Sequence, residues 1–253
     1  MNAIILAAGR GSRLEQLNPD GRPKCLMEIG ERSLLARQLD SLYRLGIHQA
    51  DLVIGYQADQ VIEHVSTLAS RPDIAFHYNP RFNQGSVLSL WAAQEALNSG
   101  QAVIIMDADV LYHPGILQRL IETKKENCCL LDRDFLPGDE PVKIAIREGV
   151  MVEFSKQLAS DLSYDILGES VGFFRFGPQC AVALADECAR FDSEGLGDAP
   201  YEEALRNVLL AEPGSFEFED VTGLPWIEID FPEDVLRASD EILPAISKDF
   251  PDY

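Results

Sequence analysis

Residues 4–14 read IILAAGRGSRL, and residues 22–24 read RPK. The opening run is short, apolar and rich in Ile and Ala, which suits a strand buried on both faces. It breaks into a turn at Gly9 and Gly11, and Arg10, Arg13, Arg22 and Lys24 lie in or just beyond that turn. A dinucleotide fingerprint would need a further glycine where Leu14 stands, and no Gly-Lys-Ser/Thr follows to make a P-loop. What remains is a strand-to-loop turn whose backbone N–H groups can face phosphate oxygens. Arg13 and Lys24 would add positive charge beside it. A triphosphate, and the pyrophosphate that leaves when it is cleaved, are anions that such cations can stabilise.

This local positive charge stands against an acidic background. The 253 residues include 21 Lys and Arg against 42 Asp and Glu, a formal net charge of −21. Such a surface repels nucleic acid and anionic membranes, so neither is expected as a partner. No apolar run is long enough for a membrane span, and the N-terminus has no basic leader of the kind a signal peptide carries. Cys25, Cys128, Cys129, Cys180 and Cys188 are odd in number and lack CxxC spacing, which fits reduced thiols in a cytoplasmic protein. The four histidines are scattered and form no zinc-ligand set.

From the opening strand outward, apolar runs and helical periodicities alternate. SLLARQLDSLYRLG has helical spacing, with Ser33 as N-cap and Gly46 as stop. ADLVIGY, IAFHYN and QAVIIMDAD read as strands, DQVIEHVSTLA and SVLSLWAAQEALNSG as helices, and PGILQRLIETKK and CCLLDRD continue the alternation. Parallel strands with helical crossovers bury such runs economically. Near residue 140 the pattern changes: VKIAIREGVMVEFS alternates around Glu148-Gly149, a hairpin signature. ESVGFFRFG, SFEFEDV and WIEID are later strands, helices fall near 178–190 and 200–211, and PEDVLRASDEILPAI closes the chain as a helix. The expected fold class is α/β: one domain over 1–253, a Rossmann-like, mostly parallel sheet flanked by helices. Its second half inserts an antiparallel hairpin and lid over the sheet's carboxyl edge, where ligands bind in open α/β sheets. A nucleotide-binding half is expected over about 1–135 and an acceptor-binding half over about 136–253.

Two acidic motifs are placed to face that edge. In IIMDADVLY, Asp107 and Asp109 follow a buried strand, and strand alternation points both to one side. Hard oxygen ligands there suit Mg²⁺ bridging phosphates. In WIEIDFPED, a second apolar strand ends in Asp230, while Glu233 and Asp234 read as first-turn residues favoured by the helix dipole.

Taken in order, LAAGRGSRL, RPK, MDAD and EIDFPED resemble the nucleotidyltransferases that activate sugar phosphates and phospho-alcohols, over nearly the whole chain. The resemblance implies in-line attack by an acceptor phosphate or phosphonate oxygen on the α-phosphorus of a nucleoside triphosphate, with pyrophosphate leaving and no covalent intermediate. It assigns nucleotide contacts to Leu6, Ala7, Ala8 and Gly9, with Gly11, Ser12 and Arg13 at the phosphates. Lys24 would stabilise charge on the α-phosphate, so Arg13 and Lys24 are the catalytic candidates. Asp109 and Asp230 match the family's metal-binding aspartates for Mg²⁺, with Asp107 as an additional candidate ligand because many members have Gly-Asp where this chain has DAD.

Within that family the chain looks most like the small phospho-alcohol and phosphonate cytidylyltransferases, in NPRFNQGSVLSLWAAQEAL, DRDFLPGDEPVKIAIREGVMVEFSKQL and GESVGFFRF. The likeness implies CTP as donor, with Gln84 and Gly85 near the base. It implies phosphocholine, inositol 1-phosphate or an aminoalkylphosphonate as acceptor. Lys143 and Lys156, on the two hairpin arms, are candidates for gripping the acceptor phosphate. Asp132 and Glu169 are candidates for an ammonium head group, with Trp226 or Trp91 as aromatic faces. A sugar-1-phosphate nucleotidyltransferase using dTTP or UTP shares these motifs and is the alternative. A sugar-nucleotide-dependent glycosyltransferase shares DAD but lacks the loop with Pro-Lys.

Overall fold

The computed structural model describes residues 1–17, 20–136, 138–251 and 253. Strand β1 (Asn2–Ala7) runs into a 3₁₀ turn at Ser12–Leu17, and a second such turn covers Lys24–Leu26. Next come β2 (Glu28–Ile29), β3 (Arg32–Ser33), α1 (Leu34–Arg44), β4 (Gln49–Ile54), α2 (Ala58–Thr67), β5 (Asp73–Tyr78), α3 (Val87–Ala92) and α4 (Gln94–Leu97). The middle of the chain forms β6 (Val103–Asp107), β7 (Val110–Tyr112), α5 (Pro114–Glu122), β8 (Cys128–Asp132), β9 (Lys143–Arg147), β10 (Val150–Ser155) and β11 (Ile166–Phe176). The remainder is α6 (Pro178–Ser193), α7 (Tyr201–Ala211), β12 (Glu217–Asp220), β13 (Trp226–Glu228), α8 (Pro232–Arg237) and α9 (Leu243–Ser247).

The main sheet has the order β10-β9-β11-β6-β1-β4-β5, with β8 against β11 and β12 against β8. Strands β1, β4, β5 and β6 are parallel, and their alternation with helices is the signature the apolar runs carried. Every residue of β1 from Ala3 to Ile5 is fully buried, as a strand covered on both faces must be. The expectation of continued parallel crossovers stops there. β11 returns antiparallel to β6, and β8 pairs antiparallel with β11 and parallel with β12. The sheet is therefore mixed, with helices on both faces.

Local chemistry explains most of the boundaries. Ser33 caps α1, its hydroxyl oxygen accepting from Ala36 N at 3.1 Å. The β9–β10 turn places Glu148 and Gly149 at φ 52° and 78°, which matches the right-handed twist of a two-residue hairpin. Two of the expected helices differ. SVLSLWAAQEALNSG is not one helix but two short ones, interrupted at the buried Ala93 (φ −93°, ψ 21°). The closing helix widens into a π turn at Ala238–Ile242 before α9. Pro244 has no N–H to give to the preceding turn, which explains a loosened ladder there.

The five cysteines are free thiols. Among the described residues no helix is long and apolar enough to cross a membrane.

Candidate active site

The site forms where β1 and β6 end side by side, with Leu6 opposite Asp107. Beyond β1 the chain turns, and Leu14, only 1 % exposed, plugs a small apolar cluster with Ile29, Leu34, Leu111, Ile227 and Ile229. The residue that broke the dinucleotide fingerprint is thus the anchor of the loop. A Cβ on Gly11 (φ 68°) would lie 2.9 Å from Lys24 Cβ, so the loop closes directly over the base of that side chain. A Cβ on Gly9 would meet nothing within 4 Å, which leaves that side of the loop open to a ligand. Cys25 and Leu26, both buried, fix the turn from which Lys24 projects.

Three carboxylates converge through a two-stranded ladder. β13 pairs antiparallel with β7, Glu228 opposite Val110, and Ile229 N donates to Asp109 O at 3.1 Å. That pairing sets Asp109 beside Glu228 and Asp230. Their carboxylate oxygens lie within 4.8 Å of one another, an all-oxygen set that could hold a hard divalent cation. Asp234 steadies the last of them, its Oδ2 accepting from Asp230 N (3.0 Å) and Phe231 N (2.8 Å). Although Glu228 keeps an exposed edge, crowding by the surrounding protein, and then the charges of Asp109, Asp230 and Asp107, raise its pKa above the usual carboxylate range. Glu228 carried no signal in the sequence: it is the last residue of the three-residue β13, and Asp230 lies beyond the strand's end.

Lys24 Nζ donates to Asp109 Oδ2 and to Asp230 Oδ1, each at 2.7 Å. Burial alone would lower the Lys24 pKa, but the two carboxylates outweigh it and hold the ammonium above its ordinary value. Arg13 lies half exposed, its Nη1 3.4 Å from Asp230 Oδ2 and 3.7 Å from Glu140 Oε2, with its guanidinium stacked 5.0 Å over Phe231. Lys24, Arg13, Asp109 and Asp230 are therefore brought together.

Asp107 is placed differently from its expected role. The strand ends at Asp107, so alternation does not carry through to Asp109. Its Oδ2 accepts from Tyr201 O–H at 2.6 Å instead, and it is not in the carboxylate trio. Burial, then the charges of Asp109 and Glu202, push its pKa well up. Gln84 lies beside Gly197, its Oε1 3.3 Å from where a Cβ on that glycine would stand. Gly85 N–H, however, is spent on Gly197 O at 2.9 Å.

A cavity of about 320 Å³ opens next to the trio, lined among others by Asp132, Glu169, Trp226, Glu228 and Asp230. Asp132 and Glu169 face each other across β8 and β11. Trp226 Nε1 donates to Asp132 Oδ2 (2.7 Å) and Asp134 N to Asp132 Oδ1 (2.9 Å), so Asp132 holds the indole in place. Burial, and then the Asp132 charge, push Glu169 up to about 7 against the opposing pull of Lys143. The two hairpin lysines do not line this cavity. Lys143 Nζ donates to the carbonyls of Gly138, Pro141 and Lys156, and Lys156 pairs with Glu140 at 3.2 Å. Both fasten the 138–141 segment over the cavity rather than reach into it. Their places on the hairpin could be read from sequence; the loop carbonyls that capture Lys143 and the Glu140 carboxylate that pairs with Lys156 could not. Trp91 packs against the core rather than the cavity.

A mixed α/β sheet, a glycine-bearing turn beside β1, and a cation–carboxylate cluster at the carboxyl edge together define a Rossmann-like nucleotidyltransferase fold. The MobA-like NTP transferase domain matches residues 3–160, and the chain belongs to that family, whose members are nucleotidyltransferase enzymes. CTP:phosphoglutamine cytidylyltransferase of Campylobacter jejuni is 25% identical, over 93% of this chain and 98% of that protein. CMP-5'-(3-aminopropyl)phosphonate synthase of Streptomyces rubellomurinus is 27% identical over 94% of this chain, which spans only 38% of that longer protein. Among solved structures, the inositol-1-phosphate CTP transferase from T. maritima superimposes with a TM-score of 0.77 at 18% identity, covering 98% of this chain and 96% of the other.

Proposed function

We propose that this protein transfers CMP from CTP to a small phosphate or phosphonate bearing an ammonium group, with release of pyrophosphate. The carrying observation is a cavity that runs from Asp230 and Glu228 to the Glu169–Asp132 pair and the edge of Trp226. Its walls are acidic, and Glu169 projects into them as a carboxylate next to an aromatic ring, a surface suited to an ammonium head. The cytidylyl donors in the names of the relatives support CTP.

Asp109, Glu228 and Asp230 would hold Mg²⁺, consistent with their oxygen donors and with the cation that Lys24 already places among them. When bound, such an ion neutralises phosphate charge and draws two anions together. The chain's own groups align the reactants. The Gly9–Arg13 turn receives the triphosphate through its backbone N–H groups. Lys24 balances the charge that grows on the α-phosphate, and Arg13 that on the departing pyrophosphate. Both reactants are already activated, so alignment and charge neutralisation suffice.

Pyrophosphate release scored for CTP, UTP and dTTP against phosphocholine, 2-aminoethylphosphonate, inositol 1-phosphate and glucose 1-phosphate tests the reading. Fastest turnover with CTP and an amine-bearing acceptor is expected. A preference for UTP or dTTP with a hexose phosphate would replace this reading with the sugar-nucleotide alternative, and a preference for inositol phosphate would remove the ammonium subsite.

The same cavity predicts a pH dependence. Glu169 carries its charge above about pH 7, so KM for an ammonium-bearing acceptor should rise as pH falls through that value. Glu169→Gln should weaken such an acceptor by about 1–3 kcal/mol, the cost of a lost charged hydrogen bond, and should flatten the profile. Acceptor KM measured from pH 6 to 8 in both proteins checks this, and an unchanged slope in the variant would take Glu169 out of the subsite.

A further inference from the structure

The ammonium of Lys24 sits 2.7 Å from Asp109 Oδ2 and 2.7 Å from Asp230 Oδ1, on two of the three carboxylates that could hold a divalent cation. A metal bound by this trio would need those carboxylates. It would also bring a double positive charge against the ammonium, an arrangement that like-charge repulsion disfavours. We propose that Lys24 and the divalent cation are alternative occupants of the trio. In the free protein Lys24 closes the metal site, and a bound triphosphate opens it by offering the ammonium a new anion.

The surroundings favour a swing of the side chain rather than a rearrangement of the loop. The base of Lys24 is fixed, with Cys25 and Leu26 buried beside it and Gly11 closing over its Cβ. Only the outer methylenes and the ammonium need move. The open side of Gly9 lies on the same loop, where an anion would be received. Arg13, 3.4 Å from Asp230, is half exposed and so has solvent into which it can withdraw when a metal arrives. The exchange would make nucleotide and metal binding mutually supportive, since each favours the state in which Lys24 has left the carboxylates. It would also lower metal affinity in the absence of nucleotide by the fraction of molecules held closed.

This inference rests on the proposed cation role of the trio but not on which triphosphate or acceptor is used, so its test contains neither. Mn²⁺ binding to the free protein is followed by electron paramagnetic resonance, comparing wild type with Lys24→Met, whose fold is verified by circular dichroism. The variant is expected to bind Mn²⁺ about tenfold tighter or more. Equal or weaker binding in the variant, or no binding in either protein, would overturn the proposal. A second measurement needs no variant. Reductive methylation of wild-type Lys24, read by mass spectrometry, should quicken at saturating Mn²⁺, with the exposed Lys248 unchanged as internal reference. A Lys24 rate indifferent to Mn²⁺ would equally overturn it. Loss of CTP turnover with this Mn²⁺ behaviour intact would instead count against the proposed reaction alone.

Discussion

Asp230→Asn is expected to reduce turnover by at least about a hundredfold, and Asp109→Asn to do the same, because stabilisation by a bound ion is worth several kcal/mol. Each aspartate contributes an oxygen to the trio and accepts from Lys24 at 2.7 Å. The amide keeps the shape but removes the charge that both a metal and the ammonium require. The fold should survive, since neither side chain is buried in an apolar core and the Asp234 contacts to Asp230 run through its backbone. Steady-state rates at fixed Mg²⁺, with melting curves alongside, decide the matter. Near-normal activity in either variant would remove that residue from the site.

Gly85→Ala should act on stability instead. An added Cβ would lie 2.0 Å from Ala199 O, 2.4 Å from the Asp198 carbonyl carbon and 2.6 Å from Ala199 N. All three neighbours are backbone, which cannot rotate aside. The two segments are tied by Gly85 N to Gly197 O (2.9 Å) and Val87 N to Ala199 O (3.3 Å), and Ser86 Oγ accepts from Tyr201 N at 2.8 Å. Forcing them apart would break the start of α7, where Tyr201 reaches Asp107. A loss of about 3 kcal/mol, the upper end for overpacking, is expected, which in a chain of this size lowers Tm by roughly 6–12 °C. Gly9→Ala is the contrast: its Cβ meets nothing within 4 Å, so nucleotide KM should rise while Tm stays close to wild type. A Gly85→Ala protein that melts like wild type would mean the two backbones are not held together.

These contrasts show what could be read from the chain. Alternating apolar runs revealed the parallel core and the hairpin because buried strands and amphipathic helices have different periods. The loop was legible because few folds need two glycines and that many cations after a strand. Asp109 and Asp230 were named together only through family likeness. The physical link between them is the β7–β13 ladder, and strands of three residues leave no periodicity to detect. The roles of Leu14 as a core plug and Asp132 as the holder of Trp226 depend on contacts between segments far apart in sequence. The Lys143 clasp is local, but it runs to backbone carbonyls, which leave no mark on residue type. Tyr201 gave no signal at all, since a tyrosine at the start of a helix is ordinary until Asp107 is seen opposite it.

Strand β11 has a mechanical consequence for the molecule. Its last residues, Phe173–Phe176, pair with Met106–Val103 beside the parallel strands, while Ile166–Glu169 pair with Ile146–Lys143 of the hairpin. Between them the chain bulges at Gly172 (φ 78°), directly beside Asp107. One continuous segment from late in the chain thus fills the middle of a sheet that the first hundred residues begin. Among the described residues this leaves no seam along which the parallel strands and the hairpin could part, so they should lose structure as a single cooperative unit. Coincident urea transitions by far-ultraviolet circular dichroism and by tryptophan fluorescence would show this, because Trp226 reports from the cavity beside the carboxylates, Trp91 from the core, and the helices from the whole molecule. Closure around substrates would then be confined to side chains and to the 138–141 segment clasped by Lys143 and Lys156, rather than arise from two lobes hinging.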